Sequence, residues 1–131
     1  MSQELSEAAV RDFFERFVAA FATFEATKVA ELFATPGVAL RRDGSLVPLT
    51  TRDDVLKYYQ VVLDGYRQGG CVSCRWSDLK LTGMGKKSAL AAVTWTLLRH
   101  DGSELAAWRQ SYCLAPSRGG PQIFASAMHA G

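Results

Sequence analysis

The stretch Ser88-Ala-Leu-Ala-Ala-Val-Thr-Trp-Thr-Leu-Leu-Arg99, the turn Asp101-Gly102 and the run Leu105-Ala-Ala-Trp-Arg-Gln-Ser-Tyr-Cys-Leu-Ala115 decide the fold. Asp-Gly between two extended runs signals a tight β-hairpin, because glycine supplies the positive φ that such turns demand. Side chains alternate across a strand, so Ala89, Ala91, Val93, Trp95 and Leu97 share one uniformly apolar face, the expected core. Leu90, Ala92, Thr94, Thr96 and Leu98 share the other. Along the second run, Trp108, Gln110 and Tyr112 share one face, and Arg109, Ser111 and Cys113 the opposite one.

Working outward, residues 72–82 read as a preceding strand turned by Gly83-Met84-Gly85, and residues 122–128 as a following one beyond the Pro- and Gly-containing segment 116–121. Four long strands in sequence imply consecutive antiparallel hairpins. Upstream, residues 6–24 form an amphipathic helix: Val10, Phe13, Phe14, Phe17, Val18 and Phe21 recur at helical spacing. Residues 26–33 read as a shorter second helix, stopped by Thr35-Pro36-Gly37. Residues 38–42 and 45–49 flank Asp43-Gly44 as a hairpin. Thr51 caps a third helix with Asp54 three residues on, and Gly69-Gly70 ends it. The predicted order is α-α-β-β-α-β-β-β-β: an α+β fold in which three N-terminal helices pack into a curved antiparallel sheet, leaving a pocket at its open end.

With 131 residues, the chain suits a single domain spanning 1–131. Fifteen Lys and Arg against thirteen Asp and Glu leave a net charge of +2, too small to point to nucleic acid or an anionic membrane. Residues 1–7 lack the basic and apolar regions of a signal peptide, and no apolar run nears the ~18 residues of a membrane span. A cytoplasmic location is therefore expected. Cys71, Cys74 and Cys113 are an odd number, and Cys71-Val72-Ser73-Cys74 has no second ligand pair to complete a metal site. The expectation is reduced structural thiols, no metal and no cofactor.

Phe21-Ala22 leading into Val29-Ala30-Glu31-Leu32-Phe33, the opening of the third helix over residues 51–59, and Ala92-Val93-Thr94-Trp95 resemble the nuclear transport factor 2-like superfamily, in that order and spacing. That superfamily includes ketosteroid isomerases, scytalone dehydratase and polyketide cyclases, and the chain looks most like its uncharacterised bacterial members. The resemblance implies a cone-shaped, barrel-like fold with an interior that holds a small apolar ligand, and dimers formed through the outer sheet face. It also implies where ketosteroid isomerase chemistry would sit. The base position falls near Arg41 and the oxyanion acid near Ser111, while the first helix offers Phe13, Phe14 and Phe17 but no tyrosine. That catalytic set is missing. The last strand carries Gln122-Ile123-Phe124 where many relatives have a Trp-Arg-Ile-type sequence.

The residues expected to line a pocket are Phe17, Tyr59, Trp95, Arg109, Ser111 and His129. The register implied by the resemblance turns Arg109, Ser111 and Cys113 inward, where a buried Arg109 would need an anionic ligand or a carboxylate partner. Trp95 is either a flat wall for a ring-shaped ligand or core filler. Tyr58, Tyr59 and Tyr66 are either oxyanion donors or satisfied core-edge hydroxyls. His129 is a general-base candidate or part of a fraying terminus, and His100 lies in a turn. The expected function is an interior pocket for a small, largely apolar molecule. The alternatives are an isomerase-, dehydratase- or cyclase-type enzyme using Tyr, His or Arg, and a protein-interaction module. The part-apolar outer face of residues 88–98, with Thr94 and Thr96, is the expected homodimer surface. Trp108 and Tyr112 join it if Arg109 and Ser111 face inward.

Overall fold

The computed structural model describes residues 5–130. Ser6 takes extended backbone and accepts the Ala9 amide, starting helix α1 (Glu7–Phe21). A short helix α2 (Ala26–Ala30) follows, then strands β1 (Phe33–Leu40) and β2 (Leu46–Leu49). Helix α3 (Arg52–Gln68) opens on a reciprocal cap. Thr51 Oγ1 accepts the Asp54 amide at 3.2 Å, and the Asp54 carboxylate accepts the Thr51 amide at 3.1 Å. Strands β3 (Ser73–Gly83), β4 (Ala89–Leu98), β5 (Glu104–Ser117) and β6 (Gly120–Met128) complete the chain. The element order is the one expected.

The six strands form one unclosed sheet in the order β2-β1-β6-β5-β4-β3. Four pairings are antiparallel; β1 and β6 run parallel, so the sheet is mixed rather than wholly antiparallel. That parallel pair also explains why the second helix is shorter than its composition predicts. The Ile123 amide donates to the Leu32 carbonyl at 2.9 Å, and Phe33 pairs with Ile123. Pairing with β6 draws Leu32 and Phe33 out of the helix, and β1 runs on through Pro36. The strand tolerates that proline because the ladder to β6 shifts register between Phe33 and Val38, where no amide hydrogen is required.

Two hairpin turns share one chemistry. Arg41-Arg42-Asp43-Gly44-Ser45 and Arg99-His100-Asp101-Gly102-Ser103 each place glycine at positive φ, with the Asp carboxylate accepting both the amide and the hydroxyl of the following serine. Those bonds hold both aspartates below the usual carboxylate range.

The concave side of the sheet receives α1, which packs against both β3 and β6. Phe14 lies 5.7 Å from Trp76, 6.0 Å from Trp95 and 5.7 Å from Tyr112, ring centre to ring centre. Phe17 reaches Phe33, Trp95 and Tyr112 at 6.3, 5.0 and 6.0 Å. Such aromatic contacts add about 0.5–1.5 kcal/mol apiece beyond area burial. Helix α3 is tied in by Gln60, which accepts the Ala26 amide and donates to the Phe24 carbonyl. At the far corner, Arg16 donates to the Gly119 carbonyl, and only glycine fits next in line: Gly120 has a φ of +112°, and a Cβ there would meet the Arg16 guanidinium at 2.6 Å.

The parallel pair makes one glycine indispensable. A Cβ on Gly37 would lie 2.9 Å from the Phe124 carbonyl oxygen and 3.1 Å from that of Ala34. Gly37→Ala is expected to destabilise the fold by about 1–3 kcal/mol, the usual cost of overpacking. Urea denaturation measures it; an unchanged midpoint would mean that β1 and β6 are not held this close.

Candidate functional site

Helix α1 fills part of the concavity and leaves the rest open as a cavity of about 550 Å³. Phe17 and Phe21 of α1 and Trp95 and Leu97 of β4 form its floor, with Tyr112 of β5 beside them, all buried. Tyr59, Val62 and Tyr66 of α3 form one wall, and Trp108 and Gln110 of β5 another. The exposed lining residues are Arg41, Arg42 and Asp43 of the first hairpin turn and Val61 and Gly65 of α3, which places the mouth between these two elements.

Two pairs of interior polar groups satisfy each other. Trp95 Nε1 donates to the Tyr112 hydroxyl at 2.6 Å, and Trp108 Nε1 donates to Gln110 Oε1 at 2.8 Å. Tyr59 and Ser126 both line the cavity, and Ser126 acts on the Tyr59 phenol against the effect of burial. Burial raises the Tyr59 and Tyr112 phenols well above their ordinary range and pushes Tyr66 up to about 12, so all three are neutral near pH 7. The rim differs in character. The Arg41 guanidinium sits 5.8 Å from the Tyr58 ring centre, and Arg41 and Arg42 are both close enough to Tyr66 to act on its phenol.

Of the six pocket residues expected from sequence, Phe17, Tyr59 and Trp95 line the cavity, and Arg109, Ser111 and His129 do not. The inward and outward faces of β5 are the reverse of the expected assignment. Pairing across the Asp101-Gly102 turn sets Trp108 directly opposite Trp95, and opposed residues share a face. Trp95 is core, so Trp108, Gln110 and Tyr112 turn inward with it. Arg109 instead lies along the outer face, donating to the Asp78 carbonyl at 2.7 Å, Thr94 Oγ1 at 3.2 Å and the Ala92 carbonyl at 3.4 Å. It braces the irregularity in β3 where Asp78 takes a φ of +54°. Ser111 Oγ and His129 Nε2 meet at 2.7 Å on that same outer face. One sheet layer separates these three residues from the cavity, so the two groups cannot act on one ligand.

Sequence reading also missed Trp108, Gln110, Tyr112, Ser126 and the arginine pair of the first turn as cavity residues. Side-chain volume carried the signal for the β5 residues, since the large rings Trp108 and Tyr112 belong with Trp95 on the concave side. Cys71 and Cys74 are both buried and unpaired, and burial pushes the Cys74 thiol up to about 12, opposite to the low value of a redox-active pair. Among the described residues, no group of three His, Cys, Asp or Glu side chains is placed to hold a metal ion.

A cone-shaped α+β fold with an aromatic-walled cavity beneath its sheet defines a structural class, and comparison with known proteins identifies it. Residues 4–131 match the family described as NTF2-like protein (DUF6841), and the chain belongs to that family. No curated protein matches the sequence. Among solved structures it is similar to a protein of unknown function with a cystatin-like fold from Nostoc punctiforme, at 11% identity and a TM-score of 0.75, covering 98% of this chain and 96% of that one. A candidate calcium/calmodulin-dependent protein kinase II association domain from Xanthomonas campestris is 21% identical with a TM-score of 0.67, covering 93% and 85%. A candidate dehydratase of the NTF2-like family from Streptomyces avermitilis is 13% identical with a TM-score of 0.68, covering 95% of each chain. At these identities the likeness is one of fold.

Three of the four tyrosines resist ionisation in the folded state. Their folded pKa values lie above the unfolded value of about 10, so this contribution to stability is complete below pH 10 and is lost as pH rises toward 12 and beyond. An alkaline titration followed at 295 nm should show the absorbance of Tyr59, Tyr66 and Tyr112 appearing late, together with unfolding. Ionisation of these three near pH 10 with the fold intact would contradict the buried arrangement.

Proposed function

We propose that this chain is a binding protein whose cavity takes a small, largely apolar, ring-containing molecule, without the carboxylate chemistry of ketosteroid isomerases. The carrying observation is the wall. Phe17, Tyr59, Trp95, Trp108 and Tyr112 present aromatic surface to a cavity of about 550 Å³, within the ordinary 300–1,000 Å³ range of ligand sites. The Trp95 and Trp108 indoles are already bonded to Tyr112 and Gln110, which leaves a largely apolar interior for a ligand.

A general base must reach its proton with a pKa near the working pH. Among the described residues Asp43 is the one carboxylate that lines the cavity, at the rim and engaged by Ser45, and no histidine lines it. This favours binding over the enzyme reading suggested by the dehydratase among the structural neighbours.

A homodimer through the outer sheet face is the second part of the reading. Cross-strand pairing puts Thr94 beside Arg109, Ala92 beside Ser111, and Ser111 beside Ala127 on that face, with Leu40 next to Ala127. With Trp108 and Tyr112 turned inward, the face is built mostly from small side chains, and its β1–β2 end exposes Val38 and Leu46. A flat, weakly polar surface of this kind suits a twofold contact in which one patch serves both subunits. The name of the Xanthomonas campestris neighbour, an association domain, is consistent with this. Three unpaired cysteines suit a reducing cytoplasm, and among the described residues no helix is long and apolar enough to cross a membrane.

Gly65 provides the test of the cavity, because it lines the rim and a Cβ there would meet nothing within 4 Å. A neutral bicyclic probe, 2-naphthalenemethanol, at roughly a hundredfold excess over Kd should stabilise the protein by about 2.7 kcal/mol, read as a rise in Tm. Gly65→Leu should raise the ligand-free stability by about 0.5–1 kcal/mol through helix propensity, yet reduce the probe's shift by filling the mouth. No shift from this or related bicyclic probes would remove the reading.

Light scattering at micromolar concentration should give about twice the chain mass of 14.3 kDa. A monomeric mass over a wide concentration range would refute the dimer.

A further inference from the structure

The cavity is divided by charge along its depth. Its floor is largely apolar, and two polar pairs along it, Trp95 with Tyr112 and Trp108 with Gln110, are bonded to each other. Its mouth carries two guanidinium groups on consecutive residues, Arg41 and Arg42, both lining the opening. Among the described residues the ion pairs are Arg11–Glu7, Arg16–Asp12 and Lys57–Asp53, each within one helix. Neither Arg41 nor Arg42 takes part in any of them. The acidic group at the mouth is committed within its own turn: Asp43 Oδ1 accepts the amide and hydroxyl of Ser45 at 2.9 and 2.6 Å. Arg41 is held over the face of Tyr58, which restrains its position without consuming its hydrogen-bond donors.

Two unpaired guanidinium groups above an aromatic chamber form a complementary surface for one kind of molecule. We propose that the ligand is an amphipathic organic anion, an aromatic or alicyclic carboxylate whose ring body occupies the chamber while its carboxylate is bound at the mouth by Arg41 and Arg42. Guanidinium groups match carboxylates in geometry as well as charge, with paired N–H donors facing paired oxygens. The protonated Tyr66 phenol at the same wall is a further donor toward the anion. Asp43 offsets only part of the positive charge, so the mouth attracts anions and disfavours cations. Because the two arginines are exposed, the attraction is screened by salt, whereas the ring's burial is not.

This inference rests on the cavity being the ligand site, and the test separates the two ideas. Isothermal titration calorimetry would compare 2-naphthoate with neutral 2-naphthalenemethanol, on the wild-type chain and on Arg41→Gln/Arg42→Gln. The expected result is that 2-naphthoate binds roughly tenfold more tightly than the alcohol, an advantage that shrinks as sodium chloride is raised. In the double variant the anion's affinity falls to that of the alcohol, while the alcohol still binds, which shows that the chamber is intact. Equal affinities in the wild type, or an advantage for the anion that survives the double substitution, would overturn the proposal and leave the apolar cavity standing. If neither compound binds the wild-type chain, the cavity reading and this proposal fall together.

Discussion

The structure depends on two phenylalanines one helical turn apart. Phe14 and Phe17 on α1 touch aromatic residues of β3, β4, β5 and β1 at once. In the sheet order, β1 and β3 lie on opposite sides of β6, β5 and β4. A flat sheet could not bring strands so far apart onto a single stripe about one residue wide. Burying this stripe therefore requires the sheet to bend, and the bend creates a concavity wider than one helix. What α1 does not fill becomes the chamber, with α3 closing one side. Burial of aromatic area, the largest favourable term available to a chain of this size, thus makes both the fold and the empty space within it.

Much of this was legible in the sequence because it is written in local periodicity. The phenylalanine stripe, the Thr51–Asp54 cap and the two Asp-Gly turns are short-range signals, and they give the correct order of elements. Long-range competition was harder to read. Leu32 and Phe33 have helical spacing with Val29, yet the Ile123 amide claims the Leu32 carbonyl from across the sheet. A parallel pair between the first and last strands leaves no local trace, since no turn joins them. The orientation of β5 is a different kind of failure. Each of its faces mixes polar and apolar residues, so alternation alone does not choose between them. The observed pairing of Trp95 with Trp108 decides it, and that pairing includes a register shift between Leu97 and Leu98 that counting outward from the Arg99–Ser103 closure does not supply. Volume points the same way, since the concave side must be filled by large rings and the outer side by Ala, Ser and Thr.

Reversing β5 also divides the chemistry of the chain between two surfaces. The polar residues that looked most active, Arg109, Ser111 and His129, lie outside and bond to one another's strands or to backbone. Arg109 there serves the sheet, bracing the kinked backbone at Asp78 through carbonyl oxygens. The inner surface keeps groups with little intrinsic reactivity: indoles, neutral phenols and an amide. The raised phenol pKa values have one cause, burial of the Tyr59 and Tyr112 rings in the same aromatic packing that lines the chamber.

The first hairpin turn has a consequence of another kind. Its hydrogen bonds are internal: Arg41 with Ser45, Gly44 with Arg41, and Asp43 with Ser45. The same bonds recur at Arg99–Ser103, where no cavity is lined, so this turn geometry does not depend on what lies beneath it. The arginine side chains at the mouth are consequently decoupled from the stripe that shapes the sheet. Mutation can exchange them without disturbing the scaffold, which lets selection retune what enters the chamber one residue at a time.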